Sequence, residues 1–186
     1  MSRPLIAALF SSIDGVVSDP WKFQHDSFDD DLGAFMTELI SETDAGIFGR
    51  VTYQEWAAYW PTQAPEEDAS FADFINPLPK YVASRTLTQD DLAWQNSSLI
   101  EGDLLDFVRD LKQTEGGTIA VEGSISVVRQ LVAAGLVDRL TLCVHPAVAG
   151  EGVRLFADSA AQRMELLACR ATEKGNVLAT YGPLGG

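Results

Sequence analysis

Basic residues are scarce in this chain. Thirteen Lys and Arg face 27 Asp and Glu over 186 residues, a formal charge of −14. Neutralising a phosphate backbone or an anionic bilayer takes clustered Lys and Arg, so nucleic-acid and membrane-surface partners are not expected. Cysteine is nearly absent too. Cys143 and Cys169 both lie in apolar, strand-like segments without metal-ligand spacing, which predicts two buried, reduced thiols and no metal site. No apolar run approaches the length that spans a bilayer, and Met1-Ser2-Arg3-Pro4 lacks the layout of a signal peptide, so the expected location is the cytoplasm. Gly-x-Gly-x-x-Gly is missing, which excludes the usual doubly wound dinucleotide fingerprint. Apolar residues are plentiful at 46%, and no repeat, low-complexity tract or linker divides the chain. One packed domain, residues 1–186, is expected.

The order of elements is readable. Leu5–Phe10 is apolar on both faces, as in a covered strand, and Ser11–Asp30 is a long polar loop with turns at Asp14-Gly15 and Asp19-Pro20. Asp30 or Asp31 is placed to cap a helix reaching about Ile40. A second strand, Ala45–Phe48, runs into Gly49, and a helix starts near Val51 or Thr52 and stops at Trp60-Pro61. A Pro- and acid-rich stretch with a helical piece near Phe71–Ile75 follows. Strands are then predicted at 80–84 and 98–100, and a helix capped by Asp103 carries Leu104, Phe107, Val108 and Leu111 on one face. Next come a strand at 118–122, a helix capped by Ser124 and stopped by Gly135, and a long strand at 136–145. A hairpin turning at Lys174-Gly175-Asn176 closes the chain. Strands alternating with helices before a terminal hairpin indicate an α/β fold, mostly parallel with an antiparallel edge.

In such sheets ligands bind beyond the carboxyl ends of the strands, where helix N-termini present free N–H groups. Three junctions carry suitable residues. Gly49-Arg50-Val51-Thr52 joins a close-approach glycine, a bidentate guanidinium and a hydroxyl. Ser84-Arg85-Thr86 suits a monophosphate, and Glu122-Gly123-Ser124-Ile125 offers backbone N–H groups to a pyrophosphate. Each alone also reads as an ordinary turn; together, in a chain with so few bases, they point to a phosphate-bearing cofactor. Trp56 and Trp60, four apart on a helix, read as core packing, and His145 as structural.

An ordered series of motifs extends this reading. Ser12-Ile13-Asp14-Gly15 is followed by Asp44-Ala45-Gly46-Ile47-Phe48-Gly49-Arg50-Val51-Thr52-Tyr53, Trp60-Pro61, Ser84-Arg85 and Ile119–Ser124. Gly135–Leu140, His145-Pro146 and Gly150–Phe156 complete it. The chain resembles the dihydrofolate-reductase superfamily, and within it the stand-alone relatives of the riboflavin-biosynthesis reductase domain (RibD-type C-terminal domain). The resemblance implies a dihydrofolate-reductase-like three-layer fold, a homodimer, and an NADPH-dependent reductase acting on a small planar heterocycle. It further implies that Arg50, Thr52, Ser84 and Arg85 face the adenosine phosphates, with Gly49 at the same junction. Glu122, Gly123, Ser124 and Ile125 would pass beneath the pyrophosphate, and Ala8 and Gly15 would border the nicotinamide. Asp31 is the nearest match to the family's substrate-orienting carboxylate, although helix capping is the plainer role. The segment from Val16 to Ile40 departs from the riboflavin enzymes: its bases are Lys22 and His25, set among five aspartates, which argues against a phosphoribosyl substrate. A true riboflavin- or folate-pathway reductase and a non-catalytic nucleotide-binding homologue are the alternatives.

Overall fold

Leu5–Ser11 (β1) is the pivot of the fold, because its two apolar faces must both be covered. The computed structural model describes residues 2–157 and 159–185. After β1 come Asp30–Glu42 (α1), Thr43–Gly49 (β2), Arg50–Tyr59 (α2), Ala69–Ile75 (α3), Lys80–Ala83 (β3) and Ser97–Leu99 (β4). Leu104–Lys112 (α4), Thr118–Gly123 (β5), Ile125–Ala133 (α5), Arg139–Val144 (β6), Met164–Ala171 (β7) and Val177–Pro183 (β8) follow. The eight strands form one sheet in the order β4-β3-β2-β5-β1-β6-β8-β7. The first six are mutually parallel, and β8 and β7 add an antiparallel edge.

Alternation along the strands divides the core into two faces. Leu5, Ala7, Ile47, Ile119, Val121 and Leu140 pack against Val108 and Leu111 of α4 and Val127, Val128 and Leu131 of α5. On the opposite face, α1 sets Leu32 and Phe35 over Phe10, Cys143 and Leu178. Beside it α2 and α3 cover Phe48 and Val82 with Tyr53, Trp56, Ile75 and Phe71. Trp56 meets Phe71 edge to face and Trp60 meets it at a tilt, at centroid distances of 5.9 and 4.6 Å. The result is a three-layer α/β fold, as expected, with a cleft between α1 and α3 that exposes the middle of the sheet.

Several local expectations are corrected. Asp29, rather than Asp30 or Asp31, caps α1: its side chain accepts from the Leu32 N–H at 3.0 Å. Helix α2 starts at Arg50, one residue before the range expected for it. Ser124 occupies the N-cap position of α5, but its hydroxyl pairs with Ser126 Oγ at 2.9 Å instead of a backbone N–H. β6 begins at Arg139, not Leu136, because the Leu136 N–H still closes the end of α5 on Leu131 O at 3.0 Å, and the chain first meets β1 at Asp138, whose N–H donates to Leu5 O and whose carboxylate accepts from Leu5 N. Cys143 is buried, and burial pushes its thiol up to about 12. Cys169 is exposed, on the outermost strand.

Candidate functional site

Two recesses are set against the sheet, one at the carboxyl ends of β2, β3 and β5 and one over its middle, beside β1 and β5. The larger, about 510 Å³, is a groove lined by Gly49, Arg50, Ser84, Arg85, Asp103, Ser124 and Gln130, among others. It brings together five of the residues singled out in the sequence: Gly49, Arg50, Ser84, Arg85 and Ser124. Helices α2 and α5 both begin there, and neither N-terminus receives a side-chain cap. The Val127 N–H of α5 already donates to Ser124 O at 2.9 Å, but without a side-chain cap the N–H groups before it stay available to an anion, favoured by the helix dipoles. Arg50 and Arg85 are exposed, and no carboxylate among the described residues pairs with either; Arg50 donates to Gln54 Oε1 at 3.0 Å. Ser84 Oγ accepts from the Thr86 and Leu87 N–H groups at 3.1 and 2.9 Å, which folds the Arg85 turn over the groove.

The glycines hold this junction close. A Cβ on Gly49 would collide with Ser124, so β2 and the β5–α5 turn touch backbone to side chain. The Gly123–Ser124 peptide is cis, and Gly123 has φ of +139°. A Cβ there would lie 2.6 Å from Thr52 Oγ1. Thr52 thus buttresses the turn from behind and does not line the groove. Gly123→Ala is expected to cost roughly 1–3 kcal/mol through backbone strain plus that clash. A urea melt checks it: an unchanged midpoint would show that the turn relaxes freely.

The smaller recess, about 60 Å³, lies in the cleft between α1 and α3. Ala8, Ala120 and Glu122 form its floor, Met36, Leu39 and Ile40 one wall, and Phe71 and Phe74 the other. Glu122 lies here and not in the groove, because Ile119 and Val121 of β5 face the α4–α5 core and Glu122 alternates with them. Although the residue keeps partial exposure, its carboxyl sits among apolar side chains, and burial pushes it up to about 7. No donor among the described residues bonds it. Ala8 keeps the floor shallow. Ile125 packs into the core on the far face.

The Asp-Gly turn after β1 is locked to the loop that follows β6. Asp14 accepts from Ser12 Oγ at 2.7 Å, from the Ala149 and Gly150 N–H groups at 2.9 and 3.1 Å, and from Arg154 at 3.1 Å. The Ser12 hydroxyl first, then the two N–H groups, hold its carboxyl at about 2. Gly15 turns at φ +81° with open space about its Cα, and its N–H donates to Ser12 O at 3.0 Å. Asp31 is exposed and turned toward the β7–β8 turn, where its carboxylate accepts weakly from the Glu173 N–H at 3.3 Å. His145 is fully buried, its Nδ1 2.6 Å from Ser27 Oγ and its ring between Phe10 and Phe23. It fastens the first loop to the sheet, a structural role as expected.

Known proteins place this arrangement. Residues 3–178 match the family model described as the RibD C-terminal domain. The chain is 32% identical over 131 residues to the uncharacterized protein YyaP of Bacillus subtilis (strain 168), covering 70% of this chain and 67% of that protein. In fold it is similar to a pyrimidine reductase-like protein from Corynebacterium diphtheriae (TM-score 0.67, 17% identity, 99% and 93% of the two chains). It is also similar to dihydrofolate reductase from Enterococcus faecalis complexed with NADP(H) (TM-score 0.60, 15% identity, 100% of both chains). With a family match running almost end to end, this chain belongs to the RibD C-terminal domain family.

Proposed function

We propose that the protein is an NADPH-dependent reductase that delivers hydride to a small planar heterocycle of pteridine or pyrimidine type. The observation that carries this reading is the groove at the strand ends, where two uncapped helix N-termini and two arginines without carboxylate partners converge. In a chain of formal charge −14, two arginines left without carboxylate partners beside two uncapped helix N-termini fit a polyphosphate ligand. NADPH would be held by Arg50, Arg85, Ser84 and the turn from Gly123 to Ser126, and when bound it supplies the hydride. The dihydrofolate reductase of similar fold carries NADP(H) in its complex, which supports the same choice of cofactor.

The cleft between α1 and α3 is the substrate side of this reading. Among the described residues no Lys or Arg lines it, so it provides nothing to neutralise a sugar phosphate; its one titratable group among them is Glu122. Aromatic and aliphatic walls suit a flat ring, and the carboxyl suits ring nitrogens or an exocyclic amine. At about 60 Å³ the recess is narrower than a ring system needs, so substrate entry requires Phe71 and Phe74 to part from α1. Reduction of a C=N bond takes hydride at carbon and a proton at nitrogen, and Glu122 is the proton donor.

Cofactor binding tests the reading directly. A charge-assisted bond contributes about 1.5–3 kcal/mol, so Arg50→Ala is expected to weaken NADPH roughly 10- to 150-fold by calorimetry or fluorescence titration. Arg85→Ala is expected to weaken NADPH far more than NADH, since the Ser84–Arg85 turn suits the 2′-phosphate. Equal losses for the two cofactors would remove that assignment. Absence of any NADPH binding by the wild-type protein would remove the whole reading. Turnover of unphosphorylated pterins and pyrimidines, set against the phosphoribosylated pyrimidine, tests the substrate side.

A further inference from the structure

On the far side of α1 from the cleft lies a third recess, a trough of about 370 Å³ between that helix and β7. It shares only Ile6 and Leu39 with the cleft, and Leu39 over Ile6 forms the partition between them. The trough exists because the sheet is low there. Ala8 lies beside Thr141, Thr141 beside Thr180 and Thr180 beside Ala168, four short side chains in one row across β1, β6, β8 and β7. The neighbouring row, Phe10, Cys143, Leu178 and Arg170, stands taller, and α1 rests on it through Leu32 and Phe35. Leu32 is buried, whereas Phe35 and Leu39, beside the trough, are only half-buried.

The middle of the trough is apolar and its two ends are charged. Phe35, Leu39, Ala168 and Leu178 supply carbon surface, and the Thr141 and Thr180 hydroxyls pair with each other at 2.8 Å, so the floor makes little polar demand on an occupant. Arg170 stands at the end near the start of α1. Among the described residues it pairs with no carboxylate and donates only to Asp31 O, at a long 3.4 Å. At the other end Arg139 is neutralised by Glu42 at 2.8 Å, and Glu38 adds a second acid. One end is therefore positive and the other negative, which selects an occupant with an anion at one end only. From Phe35 to Glu42 the helix rises about 10 Å, room for an extended apolar body of roughly six to eight carbons.

We propose that this trough is a second small-molecule site, for a monocarboxylate carried on an apolar body. The carboxylate sits on Arg170, and the body lies along Phe35 and Leu39 over the row from Thr141 to Ala168. An apolar recess of this size, with one charged group to fix orientation, has the make-up of a small-molecule pocket. The site is separate from the polyphosphate groove, whose arginines are Arg50 and Arg85, and it stands whether or not the protein is a reductase.

Calorimetric titration of the whole protein with octanoate tests this without reference to activity. Saturable one-to-one binding is expected, with affinity rising about fourfold per methylene from butanoate to octanoate. 1-Octanol lacks the carboxylate, and octanedioate sets a second one against Glu38 and Glu42; each is expected to bind at least about tenfold more weakly. Arg170→Gln, at an exposed position, is expected to weaken octanoate about tenfold. Ala168→Leu, which fills the trough, is expected to abolish binding, and Arg50→Ala to leave it unchanged. No heat of binding up to about 10 mM octanoate overturns the proposal. So does 1-octanol binding as tightly as octanoate. Loss of binding in Arg50→Ala with retention in Arg170→Gln overturns it too, because the anion then sits in the polyphosphate groove.

Discussion

Glu122→Gln is expected to lower kcat by about 10²- to 10⁴-fold, the range for loss of a positioned proton donor, while leaving NADPH affinity within a few-fold. The expectation rests on where the carboxyl lies. It shares the cleft floor with Ala8 and Ala120, on the opposite face of the sheet from the α4–α5 core, and burial holds it at about 7 instead of in the ordinary carboxylate range. At neutral pH a large fraction is therefore protonated and able to donate. In the wild type, kcat/KM should fall as pH rises through about 7, and in Glu122→Gln that limb should vanish. Stability carries the same signature. The folded carboxyl keeps its proton up to about 7 whereas the unfolded one releases it near 4.5, so stability is full below about 4.5 and declines as pH climbs toward 7. Glu122→Gln should flatten that decline. A variant that keeps wild-type kcat, or keeps the limb near 7, would reduce Glu122 to a packing residue; one that loses NADPH binding would return it to the cofactor groove.

The position of Glu122 is partly legible in the amino-acid sequence. Ile119 and Val121 alternate with Ala120 and Glu122, and a period of two puts the glutamate on the face away from the apolar pair. The adjoining Gly123-Ser124 turn masks that signal, because it invites Glu122 to be grouped with the phosphate-binding residues. The groove is more legible, because Gly49-Arg50 and Ser84-Arg85 sit at strand ends, where chain direction alone fixes their neighbourhood. The cap of α1 is not: three consecutive aspartates compete, and the winner is decided by the extended φ and ψ of Asp29, which bring its carboxylate to the Leu32 N–H. Asp31 then follows the helix round to the β7–β8 turn, away from the cleft floor. Nor does composition show that Cys169 is exposed. An apolar strand reads as buried, and only the strand order, with β7 outermost, leaves it uncovered.

Lys80→Met should destabilise the fold by about 2–4 kcal/mol, the cost of taking a charged donor from one buried and two partly buried carbonyls. Lys80 is fully buried at the start of β3 and has no carboxylate partner among the described residues. Its ammonium instead donates to Asn76 O and Leu78 O at 2.8 Å and to Gln95 O at 3.1 Å, and it lies 4.2 Å from the centre of the Trp94 ring. Three donors thus meet three carbonyls at the point where the chain after α3, the start of β3 and the approach to β4 converge. Trp94 extends the knot: its indole N–H donates to Asn76 Oδ1 at 2.8 Å and its backbone N–H to the Tyr53 hydroxyl at 3.1 Å. Methionine keeps most of the volume but supplies no donor, so the three carbonyls lose their shared partner, and the Leu78 carbonyl loses it in the interior. The cost should reach the cleft, because the same aromatic cluster includes Phe71 and Phe74, which wall it. A raised KM for the heterocycle with unchanged NADPH affinity is the expected kinetic mark. Burial pulls the Lys80 ammonium down to about 8, below its ordinary 10.5. Between those values the unfolded chain binds the extra proton, so wild-type stability should rise with pH there, and Lys80→Met should lack the rise. Denaturant melts at pH 7 and pH 10 on both proteins settle it: equal midpoints for wild type and variant at pH 7 would show that the three carbonyls find other partners.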